Sequence, residues 1–147
     1  MLITAEGDVS VTQCFKAILS SLQEDYHENT LTQLPPAELK AGLSYIKHYG
    51  KNKEHNVRVL ITALEAPHLY AACFSSNHGL KTLSYRLEAL GEDHTRITYC
   101  YDYQPLDVFQ KVNQLIIGKL FKKSFKRQSQ AQLAALIQYA KRLSQKA

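Results

Sequence analysis

Lys81-Thr82-Leu83-Ser84-Tyr85-Arg86-Leu87-Glu88-Ala89-Leu90, the turn Gly91-Glu92-Asp93, and Thr95-Arg96-Ile97-Thr98-Tyr99-Cys100-Tyr101-Asp102-Tyr103 together decide the fold. The first run sets Leu83, Tyr85 and Leu87 against Thr82, Ser84, Arg86 and Glu88. The second sets Ile97, Tyr99 and Tyr101 against Arg96, Thr98 and Asp102. Successive side chains of a strand point to opposite faces, so each run predicts a strand with one buried and one wet face. The short turn between them makes the pair antiparallel.

Upstream, the same period recurs. Leu69 to Ser75 places Tyr70, Ala72 and Phe74 on one side, Asn56 to Leu64 does so with Val57, Val59 and Ile61, and Leu43 to Tyr49 is a further strand. Gly50-Lys51-Asn52-Lys53, Glu65-Ala66-Pro67 and Ser76-Asn77-His78-Gly79 supply the turns, and their shortness predicts a meander. Before it, Leu34-Pro35-Pro36-Ala37-Glu38-Leu39-Lys40 suits a short helical turn that begins near Pro35 or Pro36 and stops at Gly42. Earlier still, Val11, Phe15, Ile18, Leu19 and Leu22 recur at helical spacing. Asp8 or Ser10 can cap that helix, which is expected to run to about His27 and break at Glu28-Asn29-Thr30. Residues 2 to 5 make a first short strand.

From Pro105 to Ala147 the pattern is helical again. Phe109, Val112, Ile116 and Leu120 form one stripe; Leu133, Leu136, Ile137, Tyr139 and Ala140 form another, rotated from the first. Gly118 and the polar Ser124 to Gln130 lie near the change of phase, which favours two packed helical segments over one bent helix. The whole reads as an α+β domain spanning 1–147, in the order β-α-α-β-β-β-β-β-α. About six antiparallel strands wrap a long C-terminal helical stretch.

The net charge of +5 is unevenly placed. Residues 107 to 147 carry nine Lys or Arg and one acid, while residues 1 to 106 carry nine against twelve. The basic character therefore belongs to one element. Cys14, Cys73 and Cys100 are odd in number and far apart, with no CxxC pair, so reduced thiols are expected rather than a disulfide framework or zinc ribbon. MLITAEGDVS has neither a basic n-region nor a long apolar run, and no apolar run approaches the roughly 20 residues that span a bilayer. A soluble, cytoplasmic protein is the expectation.

LPPAELK (Leu34 to Lys40), Tyr45-Ile46-Lys47, Leu83-Ser84-Tyr85 and Thr95-Arg96-Ile97-Thr98-Tyr99 carry a further signal. So do Lys119-Leu120-Phe121-Lys122-Lys123 and Phe125-Lys126-Arg127. With these residues the chain, over nearly its whole length, resembles an uncharacterised family of small bacterial domains of unknown function. That family lies in the START-like (SRPBCC) helix-grip superfamily, in which a curved antiparallel sheet wraps a long C-terminal helix. The resemblance implies an apolar cavity between sheet and helix, since many members bind lipids, sterols or polyketide-like molecules and a few are cyclases or hydrolases. It assigns no residue a role.

The strand phases would turn Tyr45, Tyr70, Tyr85, Tyr99 and Tyr101 toward the concave face. Phenols in an apolar cavity can orient one polar end of a greasy ligand, or they can simply fill a core. With Phe74 and the helix residues Phe109, Val112 and Ile116 they form the candidate ligand site. The second candidate is the basic surface Lys119, Lys122, Lys123, Lys126 and Arg127, around Phe121 and Phe125. It could meet an anionic membrane or a protein partner, or be a solvated helix face whose phenylalanines pack on the sheet. Nucleic acid is disfavoured, because no reading helix, RNP-like motif or zinc finger accompanies the charge.

His27, His48, His55, His68, His78 and His94 form no metal-ligand spacing, so no metal site and no cofactor is expected. There is no G-x-S-x-G, no cysteine–histidine motif and no phosphate loop. Glu65, Glu88 and Asp102 give no ranked acid–base pair, and Glu88 and Asp102 fall on the wet phase. The reading leans against an enzyme, toward a binding module for a small hydrophobic or amphipathic ligand.

Overall fold

A computed structural model describes residues 1–105 and 108–145; within 108–123 it describes the backbone alone. β1 (Leu2–Gly7) leads into α1 (Val11–Thr30) and a 3-10 turn, Pro36–Glu38. Next come β2 (Ser44–Tyr49), β3 (His55–Glu65), β4 (Leu69–Ser76), β5 (Gly79–Gly91) and β6 (His94–Pro105), then α2 (Val108–Gln145). The six strands form one antiparallel sheet in the order β1-β6-β5-β4-β3-β2. The meander is thus β2 to β6, and β1 pairs with its far end.

Local chemistry explains where the helices depart from expectation. Ser10 caps α1, its Oγ accepting from Gln13 N–H at 3.2 Å. The helix does not break at Glu28-Asn29-Thr30. Asn29 Nδ2 donates to the Asp25 carbonyl and Thr30 Oγ1 to the Tyr26 carbonyl, each at 2.8 Å, and these bonds carry the helix through Thr30. It stops at Leu31, which is left-handed (φ 59°) and donates its N–H to His27 O.

The C-terminal stretch is one helix, not two packed segments. The polar run Ser124 to Gln130 holds neither Pro nor Gly, and its Lys, Arg and Gln residues are good helix formers. Ser129 within it is buried (3% exposed), so an inward stripe runs from Phe125 through Ser129 and Leu133 to Ile137 and Ala140. A small hydroxyl, not a change of helix, sits where the apolar pattern lapses.

The core lies between the concave sheet face and the two helices, where Phe15, Ile18, Leu22, Val59, Ile61, Ile97, Leu133 and Ile137 form one cluster. A bulge between Ile61 and Ala63 shifts the register of β3 against β4. At the other edge, a Cβ on Gly7 would sit 2.5 Å from Ile137 Cγ2, so only glycine lets α2 lie this close to β1. Thr95, fully buried, donates its hydroxyl to the Val9 carbonyl at 2.7 Å and ties β6 to the approach to α1. Thr95→Val keeps the shape but leaves that carbonyl without its donor. Chemical denaturation should show a loss of about 1–3 kcal/mol.

Candidate functional site

Strand register arranges the concave face in rows. One row runs Tyr45, Val59, Phe74, Lys81, Tyr103; the next runs Ile61, Ala72, Leu83, Tyr101; the third runs Leu64, Tyr70, Tyr85, Tyr99, Ile3. Aromatic rings meet along the third, with centroids 6.0 Å apart for Tyr70–Tyr85 and 4.9 Å for Tyr85–Tyr99. Above them α1 contributes Ile18, Leu22 and Asp25, and α2 contributes Gln132, Ala135, Leu136, Tyr139 and Arg142. The open-mouthed cavity between them measures about 1490 Å³. Pockets for drug-sized molecules run about 300–1,000 Å³, so a small molecule has room here.

Tyr45, Tyr70, Phe74, Tyr85, Tyr99 and Tyr101 all line this cavity. The side chains of Phe109, Val112 and Ile116 lie outside the described residues. Of the basic set, Lys126 and Arg127 are exposed, and Lys119, Lys122 and Lys123 likewise lie outside them. Phe125 packs on the sheet, its ring 4.4 Å from that of Tyr101, while Phe121 is among the undescribed side chains.

Burial pushes the phenols of Tyr45, Tyr70, Tyr85, Tyr99 and Tyr101 above their ordinary value, so all five are neutral donors at physiological pH. For Tyr45 the bond it donates to Asp25 Oδ2, 2.5 Å long, adds to the effect. Asp25 also receives Lys47 Nζ at 2.9 Å. Deeper in, Gln132 Nε2 donates to Tyr85 Oη at 2.6 Å, and Ser20 and Tyr139 hydroxyls meet at 2.8 Å. A few polar groups thus converge on walls made mostly of rings and aliphatic side chains.

The sequence reading missed the charged or polar lining residues, among them Asp25, Lys47, Lys81, Gln132 and Arg142. For three of these the signal was present. Asp25 follows Ile18 and Leu22 on the apolar face of α1, Lys47 is in phase with Tyr45, and Lys81 is in phase with Leu83, Tyr85 and Leu87. Glu65, Glu88 and Asp102 are exposed. Among the described residues no three His, Cys, Asp or Glu side chains could hold a metal, the three thiols are unpaired, and no helix is long and apolar enough to cross a membrane.

The family described as a domain of unknown function, DUF3284, matches residues 1–122. The chain belongs to this family. No curated protein matches it by sequence, but solved structures resemble it along its length. Ara h 8.0201 superposes with a TM-score of 0.63 at 14% identity, over 95% of each chain. Norcoclaurine synthase from Thalictrum flavum, in complex with dopamine and hydroxybenzaldehyde, gives 0.62 at 12% identity, over 99% of this chain and 86% of that one. Zhui aromatase/cyclase from Streptomyces sp. R1128 gives 0.57 at 14% identity, over 97% and 93%. At such identities the likeness is one of fold: this DUF3284 member has the helix-grip fold of START-like proteins, as its motifs implied.

Proposed function

We propose that the protein is a non-catalytic binding module that holds a small hydrophobic or amphipathic molecule between the sheet and α2. One observation carries this reading: a roomy cavity whose floor is a row of tyrosine rings. Burial of a ligand's apolar area there would contribute about 25 cal/mol per Å². The phenols of Tyr70, Tyr99 and Tyr101 would supply the orienting hydrogen bonds. That a protein of the same fold is seen with dopamine and hydroxybenzaldehyde supports the class of ligand by analogy. Asp25, the one carboxylate among the described lining residues, is engaged by Lys47 and Tyr45, so it resembles a strut more than half of an acid–base pair.

Native mass spectrometry of protein purified from a host of its own kind, followed by denaturing extraction, tests the proposal. The expected result is an adduct of small-molecule mass that is lost on unfolding. A bare chain mass from gently prepared protein, with no uptake of added apolar probes, would count against it.

A further inference from the structure

The charges around the cavity are unbalanced. Among the described lining residues the cations are Lys47, Lys81 and Arg142, and the one anion is Asp25. Asp25 is already held by Lys47 and by the Tyr45 hydroxyl. Among the described residues Lys81 has no carboxylate partner. Its ammonium lies 5.2 Å from the Phe74 ring centroid and 5.9 Å from that of Tyr101, half-buried on the same inward phase as Leu83 and Tyr85. Ring faces attract a cation but do not neutralise it. A partly desolvated cation without a counter-ion is costly unless something anionic joins it. Burial, and then the charge of Lys47, lowers its pKa. Among the described residues Arg142 is likewise matched by a ring, its guanidinium carbon 6.0 Å from the Tyr139 centroid.

Resting on the binding reading above, we infer that the molecule held is an amphipathic acid, its anionic head on the Lys81 ammonium and its apolar body along the tyrosine rows. A carboxylate or sulfonate entering at the Tyr45–Phe74–Lys81–Tyr103 row would meet Lys81 first. Its body would then extend over Leu83 toward Tyr85 and Tyr99. The tyrosine rings fit a flat or aliphatic body, and the excess of positive charge selects its head.

Two fluorescent probes with one skeleton separate charge from apolar fit: anionic 8-anilino-1-naphthalenesulfonate and neutral N-phenyl-1-naphthylamine. Titrated into the intact protein, the sulfonate should bind at least about tenfold more tightly than the amine, as a charge-assisted contact implies. Lys81→Met and Lys81→Gln, each checked for an unchanged thermal transition, should abolish that preference while leaving the affinity for the amine within about twofold. The exposed pair Lys126→Glu and Arg127→Glu should preserve it. Equal binding of both probes, or a preference that survives in both Lys81 variants, overturns the acid assignment and leaves the binding reading standing. A preference lost with Lys126 and Arg127 places the sulfonate on the outer surface and also overturns it. Binding of neither probe overturns both readings.

Discussion

Leu133→Ala is expected to destabilise the fold by about 3–5 kcal/mol, the upper range for a buried leucine. Leu133 is 1% exposed and belongs to the cluster that includes Cys14, Ile18 and Ile97. It sits on α2 between Ser129 and Ile137, so the inward stripe has a small hydroxyl on one side and a β-branched side chain on the other. Neither can swing into the space an alanine leaves. Urea denaturation should show a lower midpoint with an unchanged slope. Gln130→Ala, on the exposed face of the same turn, should stay within about 0.5 kcal/mol of the parent. A loss below 1 kcal/mol at Leu133 would mean that α2 does not close the core there.

Alkali should unfold this protein steeply, and the tyrosine rows are the reason. Tyr70 and Tyr85 are each 8% exposed. Burial holds the Tyr70 phenol above its ordinary value of 10.0, reinforced by the negative charges of Tyr85 and Asp25. Burial does the same for Tyr85, against the opposing effect of the Gln132 hydrogen bond. Because the folded pKa is raised, the unfolded chain releases these protons first. Stability is therefore fully present below about pH 10 and falls as pH climbs beyond it, by about 1.4 kcal/mol per pH unit for each phenol that stays protonated in the fold. Denaturation midpoints measured from pH 8 upward should be flat and then drop. Tyr70→Phe should make the drop shallower. A decline of the same slope in that variant would show that Tyr70 is not held neutral by the fold.

The strands were legible because each has one buried face, and the alternation in β5 and β6 survives almost residue for residue. That β1 pairs with β6 left no trace in the pattern, since nothing local links Ile3 to Tyr99. The tail of α1 and the unity of α2 were misread for one reason: Asn29, Thr30 and Ser129 looked like breaks, yet each is bonded or buried in a way that keeps the helix going. The tyrosines of the candidate site follow from strand phase. Asp25, Lys47 and Lys81 were overlooked because a search for alternating apolar residues passes over a charge that shares their phase.

The contact between Gly7 and Ile137 fixes one point of α2 at atomic distance from β1. Gln132 on Tyr85 and Tyr139 on Ser20 fasten the same helix on either side of that contact. Along this stretch the width of the cavity is set by the backbone, so guests of different size would be met by turning side chains and not by moving α2.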